Sequence, residues 1–462
     1  MPGTVSEKIL ARASGRKKVA PGDIVEAGVD IALSHESSRL AIRSFYEMFD
    51  WEQGTGSREQ GNDGRRGGTG SGYRVPGNEP RRRVPAPYTP HPTVWAPARI
   101  VIALDHRAPA ECEETASAHM LIRQFVKEQG IRNFYDVGEG VCHQLLAEKC
   151  HVRPGDLIVG ADSHTVTHGA FGAFATGIGA TEIAAVWATG KIWLRTPETV
   201  RIAIKGGFKP HVGAMDLALF LVGVLGAYGA EYKAIEYVGK GIRELGIGAR
   251  MTLCNMSTEM GAKAAIIEPD ARTMDFLRRR NVRSGKHIVR ADPDARYESV
   301  MDVDLGRIRP MVACPHSVDN VMEIEQVEGT PVQQAVIGSC TNGRLEDIGV
   351  AARILRGRKV HPDVRLIVVP ASRQIMLDAM RNGSLQALLE SGAIIENPGC
   401  GPCLGAHQGI LAPGDRCIST TSRNFQGRMG SQKASIYLAA PATVAASAIR
   451  GEIADPRKVN ER

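Results

Sequence analysis

Short apolar runs of strand length recur along the chain after residue 98. They are Arg99-Ile-Val-Ile-Ala-Leu, Asp156-Leu-Ile-Val-Gly, Val200-Arg-Ile-Ala-Ile, Ala335-Val-Ile-Gly, Val364-Arg-Leu-Ile-Val-Val and Ala393-Ile-Ile-Glu. Each is rich in β-branched residues and bounded by polar or turn-forming positions. Between them the apolar positions fall at helical spacing over 183–194, 214–225 and 350–355. This alternation predicts an α/β fold of parallel sheets joined by crossover helices. No internal repeat of fixed period is present. Residues 1–48 also read as ordered, with Ile9, Val19, Ile24, Val25, Val29, Ile31 and Leu33 punctuating a mixed polar sequence.

The pattern breaks between Trp51 and Pro92. That stretch holds nine Gly, six Pro and seven Arg, with almost no aliphatic residues. Too little apolar surface is available there to offset ordering entropy, so 51–92 is expected to be a disordered or weakly ordered surface insertion. Its arginines (Arg65-Arg66, Arg81-Arg82-Arg83) suit RNA or acidic partners, but a solvated loop is the preferred reading. The 462 residues correspond to roughly three domains at about 150 residues each. A formal net charge of +7 suits a small anion as well as nucleic acid and decides little. No apolar run reaches membrane-spanning length, and Met1-Pro-Gly-Thr-Val-Ser-Glu-Lys lacks a secretory apolar region. A cytoplasmic protein is expected.

Candidate chemistry follows the strands. The run at 99 leads into Asp105-His106 and the run at 156 into Asp162-Ser163-His164-Thr165. The run at 335 leads into Gly338-Ser339-Cys340-Thr341-Asn342, and the run at 393 into Asn397-Pro-Gly-Cys400-Gly-Pro-Cys403. Ligands of open α/β sheets bind beyond the carboxyl ends of strands. The nine cysteines are odd in number and lack a secretory context, which argues against a disulfide framework. Cys340, Cys400 and Cys403 come from two tight turns and have the makings of a metal centre. Spacing alone leaves open an iron–sulfur or other metal site, a redox pair, or no special role. A closed zinc site wants a fourth ligand; Cys417 is available but lies in the strand-like run Arg416-Cys-Ile-Ser. Cys112, Cys142, Cys150, Cys254 and Cys314 are expected to be small buried hydrophobes.

Seven segments occur in a telling order. They are Asp105-His106, Gly140-Val-Cys-His143, Gly160-Ala-Asp-Ser-His-Thr-Val-Thr-His-Gly-Ala-Phe-Gly, Cys254-Asn-Met-Ser-Thr-Glu-Met-Gly-Ala, Gly338-Ser-Cys-Thr-Asn, Asn397-Pro-Gly-Cys-Gly-Pro-Cys and Ser422-Arg-Asn-Phe-Gln-Gly-Arg428. Together they resemble the aconitase superfamily, in particular its two-subunit branch of 3-isopropylmalate dehydratase and homoaconitase large subunits. The resemblance implies one [4Fe–4S] cluster per chain on Cys340, Cys400 and Cys403. Three ligands would leave one iron open to act as a Lewis acid. His106 would be the general acid, oriented by Asp105. His143, Asp162, His164 and Glu259 would form the acid/base and water-handling network, with Glu259 in helix-like sequence. Asn255 and Asn342 would donate near the cluster. Arg423 and Arg428 would clamp substrate carboxylates, and His35 and Ser163 would touch substrate. His168 and His407 are read as structural histidines.

The family's usual His-Asp-x-Thr reads His35-Glu-Ser-Ser38 here, which moves a carboxylate one methylene outward. By resemblance three α/β domains are expected, 1–198, 199–300 and 301–462, the last with the cluster cysteines. The chain ends soon after Arg428 and leaves no room for the family's swivelling domain, so a small subunit is expected to supply it. The implied reaction interconverts 2-isopropylmalate and 3-isopropylmalate by dehydration and rehydration, on the leucine pathway. Homocitrate/homoaconitate or a methylmalate-type acid would use the same apparatus. Two readings of other classes are a cluster-free RNA-binding relative and a structural zinc protein. Membrane association is not expected.

Overall fold

The computed structural model describes residues 2–52, 92–280, 288–406 and 408–459. Most of the expected insertion, and His407, lie outside the described residues. The helix Ser38–Glu52 runs to Glu52, two residues past the expected start of the insertion.

The fold is mixed α/β with several parallel sheets. A five-stranded parallel sheet has the order Asn133–Tyr135, Ile100–Ala103, Ile31–Ser34, Leu157–Gly160, Phe174–Gly177. A four-stranded parallel sheet has the order Ala264–Ile267, Ala234–Val238, Thr199–Lys205, Ser299–Asp304. The largest sheet has seven strands: Val321–Glu323, Met311–Ala313, Ser435–Ala439, Arg416–Ser419, Gln334–Gly338, Arg365–Val369 and Ile394–Ile395. Its first two pairings are antiparallel and the rest parallel. Each sheet thus draws on one stretch of chain. Their apolar interiors, however, merge: one buried cluster unites Leu33 and Ile158, Ile202 and Leu219, and Val336, Val369 and Leu438. All six expected strands are present. Ile100–Ala103 and Leu157–Gly160 are buried at every residue, which is why they read as unbroken apolar runs rather than alternating ones.

Helix Ala214–Leu225 has the bounds its periodicity predicts. The helical pattern over 183–194 is corrected: the helix is Ala180–Thr189, stopped by Gly190 in the left-handed conformation at φ 71°. Lys191–Arg195 then becomes a strand, paired antiparallel with Ile24–Gly28. The pattern at 350–355 is the second half of Leu345–Leu355. Glu259 also departs from expectation, lying in the short turn Ser257–Met260 that follows helix Ile247–Met256. No described helix is long and apolar enough to cross a membrane.

Candidate active site

Three neighbouring strands of the five-stranded sheet end at one place. Ile31–Ser34 delivers His35 and Glu36, Ile100–Ala103 delivers Asp105 and His106, and Leu157–Gly160 delivers Asp162, Ser163 and His164. Beyond Asp162 the chain winds through the buried 3-10 turns Ser163–Phe171, begun by the Asp162 carboxylate accepting the His164 main-chain N–H at 2.7 Å. Helix Cys142–Glu148 brings in His143.

The side chains form one buried charge network. His106 Nδ1 lies 2.8 Å from Asp105 Oδ1, and its Nε2 lies 3.3 Å from Asp162 Oδ2. Asp105 Oδ2 is held by the Cys142 main-chain N–H at 2.6 Å. Asp162 Oδ1 also meets His143 Nε2 at 2.9 Å. His164 Nε2 lies 3.0 Å from Glu259 Oε1, which accepts from Arg423 Nε at 2.8 Å. Arg423 reaches further, to Ser163 Oγ at 2.9 Å. The His35 ring stacks on His106 with centroids 4.1 Å apart, while its Nε2 faces the Ala161 carbonyl at 3.0 Å.

Charge compensation sets the protonation states. Burial disfavours a charged His106, but Asp105 and then Asp162 outweigh it and hold the imidazolium pKa well above its usual value. Burial likewise opposes an ionised Asp162, yet His143, His106 and His164 hold it well below the carboxylate range. His164 is raised to about 10 by Asp162 and Glu259 against the cost of burial. His168 differs. Both its ring nitrogens are buried without hydrogen-bond partners, and burial drives its pKa well below the usual value, so it is a neutral structural ring.

The thiols come from the seven-stranded sheet. Cys340 follows strand Gln334–Gly338, and Cys400 and Cys403 follow the edge strand Ile394–Ile395. Strand Arg365–Val369 lies between these two in the sheet. Gly338 has φ 150° and ψ −150°, a conformation essentially confined to glycine, and a Cβ there would sit 2.3 Å from the Val369 carbonyl oxygen. Gly401, at φ 59°, would place a Cβ 2.7 Å from Val369 Cγ2. Both cysteine turns therefore close onto the same valine. All three thiols are buried. Asn255 Nδ2 lies 3.4 Å from Cys340 Sγ and donates at 2.9 Å to Thr167 in the histidine turn. Cys400 is tied by its N–H to the Asp105 carbonyl at 2.8 Å.

The donor set fits a polynuclear cluster. Thiolates around one tetrahedral zinc stand about 3.8 Å apart, as a Zn–S bond of about 2.3 Å requires. Among the described residues the three sulfurs are not all within 4.8 Å of one another; the group whose ligand atoms are is His35, Glu36, Asp105 and His106. That second group is internally paired through the Asp105–His106 bond and belongs to the charge network. Cys417 sits in strand Arg416–Ser419 and turns its thiol to the Ile418 carbonyl. Cys403 is held well below its usual pKa by the Cys400 thiol and the Arg428 guanidinium, although burial opposes this. Arg428 Nε is buried without a hydrogen-bond partner.

The predicted residues thus converge, with distinctions. Arg423 lines a cavity of about 700 Å³ together with Ser163 and Glu259, whereas Arg428 turns to the thiols. Asn342 spends its donor on the Thr420 carbonyl at 3.0 Å. Of the remaining cysteines, Cys142, Cys254 and Cys314 are buried, but Cys112 is exposed beside the start of helix Glu113–Glu128 and Cys150 is half-buried. Sequence reasoning missed His119 and noted Glu36 only as a displaced carboxylate. Glu36 accepts main-chain N–H groups from His106 and Arg107, and buried His119 faces Glu36 from helix Glu113–Glu128. The signal for Glu36 was its place beside His35; that for His119 was its helical spacing with Ala118, Ile122, Phe125 and Val126 on the buried face of Glu113–Glu128.

The chain is similar to known proteins along nearly its whole length. Residues 91–451 match the aconitase family (aconitate hydratase). The chain is 49% identical over 458 residues to the "3-isopropylmalate dehydratase large subunit 1" of Methanopyrus kandleri, covering 99% of each chain. It is 55% identical over 366 residues to the "Probable methanogen homoaconitase large subunit" of Methanosarcina mazei, covering 79% of this chain and 93% of that one. The "3-isopropylmalate dehydratase large subunit 1" of Archaeoglobus fulgidus is 43% identical over 460 residues, covering 99% and 100%.

Proposed function

Because the chain belongs to the aconitase family, we propose that it is the large subunit of a [4Fe–4S] hydro-lyase interconverting 2-isopropylmalate and 3-isopropylmalate. The observation that carries this is the continuity of thiols and charge network, with Asn255 bridging Thr167 and Cys340. Cys340, Cys400 and Cys403 would hold the cluster. When bound, it would supply an iron with open coordination as a Lewis acid for the substrate hydroxyl and a neighbouring carboxylate.

The chain's own groups do the rest. His106 holds a proton at Nε2, facing Asp162, and delivers it to the departing hydroxide so that water leaves. Asp105 fixes the ring through Nδ1 and stabilises the imidazolium. His143 and Asp162 hold that water for re-addition to the adjacent carbon. Arg423, braced by Glu259 and Ser163, orients one substrate carboxylate at the cavity, and Arg428 offers a second cation on the thiol side. His35 packs the acid ring toward the substrate. The base that removes the carbon-bound proton is assigned to a small subunit carrying the swivelling domain; the relatives' names, as large subunits, support a partner subunit. A cytoplasmic location and the three domains 1–198, 199–300 and 301–462 belong to the same reading. A homoaconitase activity is the second reading, favoured by the 55% identical relative of that name.

The test is anaerobic purification with iron and acid-labile sulfide measured on wild type and Cys403→Ala. About four of each in wild type, falling sharply in the variant, is the expected result. Zinc alone, or no metal after reconstitution, would overturn the proposal. Assays of the loaded chain with small subunit on isopropylmalate and on homoaconitate then separate the two substrates.

A further inference from the structure

Glu36 is a buried carboxylate with no lysine or arginine for a partner. Its side chain is only 9% exposed, and its ion pairs among the described residues are all with histidines. Oε1 accepts the main-chain N–H of His106 at 2.9 Å and of Arg107 at 3.0 Å, and Oε2 lies 3.2 Å from the same His106 nitrogen. Three imidazoles surround it. Oε2 is 3.5 Å from His35 Nδ1 and 3.8 Å from His106 Nδ1; Oε1 is 3.8 Å from His119 Nε2. His119 is itself buried, and its Nε2 has no hydrogen-bond partner.

A turn needs only an acceptor to hold two N–H groups, and a neutral amide would serve. A charge buried here is costly unless compensated, and only the imidazoles can compensate it. We propose that Glu36 is a positioning residue for the acid imidazole of His106. The carboxylate pins the 106–107 main chain and adds a second negative group on the Nδ1 side of the ring. Nδ1 then stays with Asp105, and Nε2 stays protonated and aimed at Asp162. Burial raises the pKa of Glu36, but His119, His35 and His106 together hold it well below the usual range, in keeping with a permanent anion. The inference rests on the acid role proposed for His106.

The test compares wild type, Glu36→Gln and Glu36→Asp as loaded large subunit with its small subunit. Glu36→Gln keeps an acceptor and removes the charge. Its kcat is expected to fall about ten-fold or more with KM little changed and iron content intact. Glu36→Asp, which restores charge, should recover part of kcat. Wild-type kcat in Glu36→Gln would overturn the proposal, as would losses tracking iron content in both variants. A second readout needs no turnover. In the loaded, 15N-histidine-labelled chain, His106 is assigned by loss of its signal in His106→Gln. Its titration midpoint should drop by about one unit or more in Glu36→Gln. Glu36→Asp, which keeps the charge one methylene shorter, should lower it less and serves if Glu36→Gln does not fold. The groups facing His106 are Asp105 on its own turn, His35 and Glu36 in the turn between strand Ile31–Ser34 and helix Ser38–Glu52, and Asp162 after strand Leu157–Gly160. An unmoved midpoint in the variants would overturn the inference. Wild type turning over neither substrate would instead sink the proposed function and leave this titration to judge Glu36.

Discussion

The two halves of the site are built by different means. On the five-stranded sheet, the groups are placed by one another: Asp105, His106, Asp162, His143, His164, Glu259 and Arg423 form an almost continuous chain of contacts between charged side chains. On the seven-stranded sheet, the thiols are placed mainly by backbone, through turns whose glycines close onto Val369. Side-chain networks are vulnerable to charge. Backbone cradles are vulnerable to volume. A single methyl group should therefore do to the thiol half what loss of a proton does to the other.

Gly338→Ala should produce the largest effect. It adds a Cβ 2.3 Å from the Val369 oxygen in a conformation that costs about 1–3 kcal/mol for other residues. Loss of most iron and sulfide, and with them activity, is expected. Full iron content would show that the thiols are placed by something other than their turns. His106→Gln should be next, lowering kcat by roughly 10²–10⁴-fold with iron content unchanged. Parallel loss of iron would erase the distinction between the halves. The smallest effect is on stability. His164 has a folded-state pKa of about 10 against roughly 6.5 unfolded, so it contributes stability fully below the lower value and loses it as pH rises through the higher. The Tm of wild type should fall more steeply between those limits than that of His164→Gln. Equal slopes would mean that the ring is not held as a cation.

Legibility in the sequence followed the same division. Strands buried on both faces, such as Ile100–Ala103 and Leu157–Gly160, stand out as unbroken apolar runs. Ile31–Ser34 did not, because Ala32 and Ser34 dilute its β-branched signal and it was read only as part of a mixed polar, ordered segment. That missed strand is the one carrying Glu36, so its contact with His106 could not be foreseen. The strand Lys191–Arg195 was read as more helix because its alternation continues an apolar periodicity that only Gly190 interrupts. Proximity of Cys340 to Cys400 and Cys403 has no local signature across 60 residues. The two tight turns suggested a shared metal centre but left redox and no special role open; resemblance to a family narrowed it, and the sheet order supplies the physical reason. Buried His119 shows the reverse limit, since its helical spacing with Ala118, Ile122, Phe125 and Val126 marks an inward face but not what that face meets.

The valine shared by both cysteine turns bears on repair. Val369 belongs to a strand hydrogen-bonded to both neighbours, with Gly338 opposite Val369 and Ile395 opposite Val368. The backbone of both turns is thereby anchored to the weave of the sheet, which amide pairing holds without help from the proposed cluster. Oxidative damage that strips iron would then leave a template rather than an unravelled loop. Restoring the enzyme becomes a matter of reduction and resupply, without refolding the polypeptide.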